Sequence, residues 1–172
     1  MNLFKSEKTY TVMFVCSGNS CRSPMAAGLL QKKLYPEFND RIRIISSGTL
    51  GIDDNPATLN AITVTKEKGV DISRHRSRGV RAKDLAKSDI IFVMAEHHKE
   101  FLDMHFPRYK ENVFLLKTFS TGTEKPQNTS IEDPIGGDLK FYRKTINEID
   151  KELDRILPQL LTLINYKLSN KN

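Results

Sequence analysis

Residues 10–15 (YTVMFV) form an unbroken apolar run of β-formers, stopped by small polar residues and a glycine, which is the pattern of a buried strand. A helix is predicted at once behind it: Ser23 can cap it, Pro24 suits the first helical position, and Met25 to Leu30 is rich in helix formers. Residues 41–45 (RIRII) alternate as a strand should. Asn55 and Pro56 then open a second predicted helix, which Gly69 ends. Residues 89–93 (DIIFV) and 112–116 (NVFLL) give two further strands, with a helical pattern over 96–105 between them. Strands alternating with helices imply βαβ units, hence a parallel sheet with helices on both faces.

Leu139, Tyr142, Ile146, Ile149, Leu153 and Ile156 recur every three or four positions and mark an amphipathic last helix. Pro158 removes a helical hydrogen bond, so a kink or break is expected before 160–168. Residues 117–137 have no sustained periodicity and form a long loop, the kind that compact domains keep for function.

With 172 residues, 38% hydrophobic and 28% charged, the chain has material for one domain over 1–172 and little for a second, with flexible ends expected at 1–8 and 168–172. No run is long and apolar enough for a membrane span. Two cysteines five positions apart cannot form a secreted disulfide framework, so a reducing cytoplasm is expected; separately, a monomer is expected. The net charge of +6 is spread along the chain, which argues against nucleic acid and for a solvated surface that attracts phosphorylated protein. No His, Cys or carboxylate cluster has metal-ligand spacing, and no metal or other cofactor is expected.

The chemistry is concentrated in CSGNSCR, residues 16–22, between the end of a predicted central strand and the start of a helix. Open α/β sheets place their ligands there. Gly18 permits a tight turn, successive backbone N–H groups can point inward, and the helix adds the positive end of its dipole. This makes a phosphate-sized cup from Ser17, Gly18, Asn19, Ser20, Cys21, Arg22 and Ser23. Cys16 at its mouth is expected to be an acidic thiol and a nucleophile. Arg22 can grip two phosphoryl oxygens with its planar fork. Ser23 could hydrogen-bond the sulfur. Cys21 is either a packed thiol or a partner that captures oxidised Cys16 as a disulfide. The pair Asp133-Pro134 is, taken alone, a common start of a turn.

VCSGNSCRSP resembles the V-C-x-G-N-x-C-R-S-P loop of the low-molecular-weight protein tyrosine phosphatases. The resemblance continues through SSGT (46–49), GVDISRHRSR (69–78), SDIIFVM (88–94) and EDPIGG (132–137). It implies an α/β fold of three layers, a doubly wound four-stranded parallel sheet with helices on both faces. It also implies a phosphocysteine mechanism on phosphotyrosine, with Asp133 as general acid and Glu132 as a weaker candidate. Ser46 and His75 align with positions that support the loop. Ser20 and Ile135 stand where the family selects its substrate, and the small hydroxyl residue with Gly136 and Gly137 is similar to a bacterial branch that includes protein arginine phosphatases. A phosphoarginine substrate is therefore the second expectation. Arsenate reductases of this fold share a similar loop, but they need further cysteines, and this chain has none after Cys21.

Overall fold

A computed structural model describes residues 9–38, 40–123 and 126–170. The predicted strands form one parallel sheet. Strand β1 (Tyr10–Cys16) pairs with β2 (Ile42–Gly48) on one side and β3 (Ile90–Val93) on the other, and β4 (Val113–Leu115) closes the order β2-β1-β3-β4. The chain leaves β1 toward β2 and later returns to the far side for β3. The carboxyl end of β1 therefore sits at the point where the strand order reverses.

Side chains alternate between the two faces of each strand. Val12, Phe14, Ile90 and Phe92 enter one core cluster with α1 (Arg22–Leu34), α2 (Leu59–Glu67) and α5 (Leu139–Ser169). Met13, Val15, Ile91 and Val93 enter a second cluster with Leu85 of α3 (Ala82–Leu85) and Leu102 of α4 (Glu96–His105). Both faces are covered, which explains why the central strands read as continuous apolar runs. The sheet and its two helical layers match the expected α/β architecture.

Several boundaries differ from the sequence reading. Helix α1 begins at Arg22, and its flanking residue Cys21 makes no side-chain cap. Ser23 lies inside the first turn and spends its hydroxyl on Cys16 instead. Helix α2 starts at Leu59, not at Pro56; the Thr58 hydroxyl accepts from the Ala61 N–H as its cap, while Pro56 bridges to Arg76 in extended form. Gly69 follows the end of α2 with φ +76°, as a terminating glycine should.

The break expected at Pro158 does not occur, and α5 runs through it as one helix of 31 residues. A proline in a helix interior costs about 3 kcal/mol. Ile156, Leu160 and Ile164 on either side of it are fully buried, and each contributes about 1.5–3 kcal/mol by leaving water, so packing outweighs the lost bond. Leu168 and Ser169 remain in this helix rather than in a loose tail. Asn170 caps the helix end, its N–H donating to the Tyr166 backbone oxygen, and residues 1–8, 171 and 172 of the expected flexible ends lie outside the described residues. Among the described residues, no helix is long and apolar enough to cross a membrane.

Candidate active site

The end of β1, the loop behind it and the first turn of α1 surround a cavity of about 190 Å³. Cys16, Ser17, Gly18, Ser20, Cys21 and Arg22 form its floor, and Leu50, Ile52, Asp133 and Ile135 form its walls. Asn19 and Ser23 do not line the cavity. Both are fully buried behind the loop, where their side chains hold its shape.

Asn19 takes a left-handed backbone conformation, φ +55°, which an asparagine tolerates better than most residues. Its amide donates to the Ser23 hydroxyl at 2.8 Å and the Ser46 hydroxyl at 2.9 Å, and its carbonyl oxygen accepts from the Arg78 N–H at 3.0 Å. His75 Nε2 meets the Asn19 backbone oxygen at 2.7 Å. Two distant segments, the end of β2 and residues 75–78, therefore converge on one loop residue, and both residues expected to support the loop, Ser46 and His75, lie within this network. Burial pulls the His75 imidazole below its ordinary pKa.

Gly48, at the end of β2, lets the loop pass close by. A β-carbon there would lie 2.4 Å from the Ser17 carbonyl oxygen and 2.9 Å from the Asn19 nitrogen, both backbone atoms that no side-chain movement can relieve. A Gly48→Ala chain must shift the loop. A misplacement of about 1 Å can cost about 100-fold in rate, so turnover of an aryl phosphate should fall by about that factor. Steady-state kinetics on the folded variant would check this, and activity within a factor of three of native would refute it.

Sγ of Cys16 lies 2.9 Å from the Ser23 hydroxyl and is 2% exposed as a residue. Burial pushes this thiol up. The Ser23 hydroxyl, the Arg22 charge and the backbone N–H groups of Ser23 and Asn19 all pull it down. The net direction is upward, against the acidic thiol expected from the loop pattern. The pattern counts the polar groups around the sulfur but not the apolar core that also encloses it.

Arg22, also 2% exposed, points its guanidinium at three acceptors. Nη1 donates to the Ile131 backbone oxygen at 3.1 Å, and Nη2 donates to the Ser17 hydroxyl at 3.1 Å and to Oδ2 of Asp133 at 2.5 Å. The segment carrying Asp133 is held over the cup because the Ile131 N–H donates to the Met94 backbone oxygen at 2.7 Å, beyond the end of β3. Glu132 faces the other way, toward exposed Lys144 at 3.3 Å, and takes no part in the cavity. Cys21 contacts the Tyr142 hydroxyl at 3.3 Å and the Thr58 hydroxyl at 3.5 Å, so it is packed against α5 and the start of α2.

A low-molecular-weight phosphatase model, described as low molecular weight phosphotyrosine protein phosphatase, matches residues 11–167. The chain belongs to this family. It is accordingly a phosphatase of the hydrolase class. A protein-arginine-phosphatase of Geobacillus stearothermophilus is 35% identical over 153 residues, covering 89% of this chain and 97% of that protein. The low molecular weight protein tyrosine phosphatase of T. tengcongensis superposes with a TM-score of 0.78 at 36% identity, covering 88% of this chain and 99% of that one. A mutant arginine phosphatase with a phosphorylated active site serine superposes with a TM-score of 0.79 at 29% identity, covering 87% and 95%.

Three parts of the phosphatase site escaped the sequence reading. Leu50 and Ile52 follow a strand that extends three residues further than its alternation suggested, because Ser46, Ser47 and Gly48 are polar or small. His98 is the third. It is fully buried, its Nε2 lies 2.9 Å from the Ser17 hydroxyl, and burial, reinforced by Arg22 and His97, pushes it down to about 3. No local signal marked it, because its place beside the cup depends on β3 lying next to β1.

Proposed function

We propose that the protein hydrolyses phosphotyrosine on proteins through a phosphocysteine at Cys16. The observation that carries this reading is the convergence of Cys16, Arg22 and Asp133 on one small cavity whose walls, Leu50, Ile52 and Ile135, are aliphatic. In the first step the Cys16 thiolate attacks phosphorus, the bond from phosphorus to the tyrosine oxygen breaks, and Asp133 gives that oxygen its proton. Arg22 and the loop N–H groups hold the phosphoryl oxygens as charge redistributes. In the second step water attacks the phosphocysteine, Asp133 takes the water's proton, and the sulfur leaves as thiolate with the Ser23 hydroxyl donating to it. A phosphorylated active site serine in a relative's mutant supports a covalent intermediate at this position. The activity named for the family also supports phosphorylated proteins as the substrates, and we propose that the protein acts on them as a monomer in the cytoplasm.

A second reading, phosphoarginine, is favoured by Ser20. Its hydroxyl lies on the cavity floor, where it could hydrogen-bond a guanidinium that an apolar side chain could not, and the Geobacillus relative carries that activity in its name. Assaying phosphotyrosine, phosphoarginine and phosphoserine proteins side by side tests both. Preference for phosphotyrosine, with Asp133→Ala slowing an alkyl-like leaving group about 100-fold or more and a nitrophenyl phosphate far less, is the expected result. A preference for phosphoarginine that Ser20→Ile abolishes would replace the first reading with the second.

A further inference from the structure

We propose that His98 is a positioning residue that fixes the Arg22 guanidinium through the Ser17 hydroxyl. This rests on the reading of Arg22 as the phosphate clamp. A guanidinium has no acceptor, so in the 3.1 Å contact Arg22 donates and Ser17 accepts. The same oxygen is held from its other side by His98 Nε2 at 2.9 Å, whichever ring nitrogen carries the proton. Ser17 is thereby tied between a loop residue and the first turn of α4.

The surroundings make this tether different from the other two on Arg22. Asp133 contacts Arg22 but must also attend to the leaving group and to water, so its hold on the guanidinium lapses during the reaction. The Ile131 oxygen sits on the same segment as Asp133, two residues before it. Among the described residues, only the hydrogen-bonded chain from Arg22 through Ser17 to His98 anchors the guanidinium to α4 rather than to that segment. Helix α4 is itself a firm support, because Leu102 is buried in the core against β1 and β3 and His98 is completely enclosed. Burial and the neighbouring Arg22 charge keep the imidazole neutral, so it holds Ser17 without placing a second cation beside the clamp.

The test separates positioning from packing by comparing His98→Leu, which fills the space without a ring nitrogen, with His98→Gln, which restores a polar atom at about the place of Nε2. Inhibition by inorganic phosphate and kcat/KM for an aryl phosphate are measured on each. His98→Leu should weaken both about five- to tenfold, the scale of one hydrogen bond to a charged group's partner, and His98→Gln should recover most of the loss. Ser17→Ala should cost a similar factor, and adding His98→Ala, which removes the ring nitrogen and is costly in the native background, should change neither quantity further. This last comparison also serves if His98→Leu does not fold. Equal behaviour of the Leu and Gln variants, or multiplication of the two losses in the double variant, would overturn the proposal. A native protein that neither hydrolyses aryl phosphate nor binds inorganic phosphate would overturn the phosphatase reading of the site as well.

Discussion

A Cys16→Ser chain is expected to hydrolyse an aryl phosphate at least about 10⁴-fold more slowly than the native protein, while inorganic phosphate still binds with nearly unchanged affinity. The groups around Sγ are the Ser23 hydroxyl, the Arg22 charge and the N–H groups of Asn19 and Ser23. All of them stabilise an anion at this place, and none is a base that could take a proton from serine. A thiol ionises near pH 8.5, whereas an alcohol ionises far above it, so a site that leaves some thiolate even though burial raises Cys16 gives almost no alkoxide. The anion cup itself is untouched by exchange of sulfur for oxygen. Thiol alkylation rates against pH provide the companion measurement. Because the Ser23 hydroxyl lowers the Cys16 pKa against the larger effect of burial, Ser23→Ala should move the alkylation midpoint to higher pH. Native-like turnover by Cys16→Ser would remove Cys16 from the mechanism.

Replacing Arg22 by lysine should reduce kcat/KM by about 10³-fold and weaken phosphate inhibition in parallel, since losing even one positioned donor to developing charge costs about 10²- to 10³-fold. Charge is retained in this variant, but geometry is not. The native guanidinium uses two nitrogens to reach Ile131, Ser17 and Asp133 at once, in a setting that is 2% exposed. A lysine ammonium is a compact point charge on a flexible stem and has no planar fork to span two phosphoryl oxygens. Some destabilisation should accompany the kinetic loss, because the Ile131 oxygen loses its donor in a buried place. Urea unfolding separates that from catalysis. Retention of activity within tenfold of native in a folded Arg22→Lys protein would show that the clamp is not what binds phosphate.

The two halves of the site were unequally legible. Residues 16–23 form one continuous segment, and the reason for their types is local: a strand must turn into a helix around an anion. The opposing wall is assembled from the segments after β2 and before α5, which are far apart in sequence. Leu50 and Ile52 looked like ordinary loop residues, although they and Ile135 leave large apolar surfaces exposed at the cavity mouth. The alternation rule also ended β2 too early, because the polar residues at its end face the loop rather than solvent. The cap expected at Ser23 failed for a related reason, while its expected bond to the Cys16 sulfur is present. A serine before a proline suits a helix cap, but here the helix had already begun and the hydroxyl turned toward sulfur.

Hydrophobic periodicity alone determined the alternation of strands and helices, and with it the parallel sheet, since apolar runs on β1 and β3 demand cover on both faces. The segment from Cys16 to Arg22 likewise determined an anion cup. Three features required the folded chain. One was the upward pull of burial on Cys16, which depends on how much core encloses the sulfur. Another was the approach of Asp133 to Arg22, which depends on Ile131 hydrogen-bonding beyond the end of β3. The last was the arrival of His98 behind Ser17, which depends on β3 lying beside β1. Each joins residues separated by dozens of positions, and no local pattern records a distance that only the packing of the sheet creates.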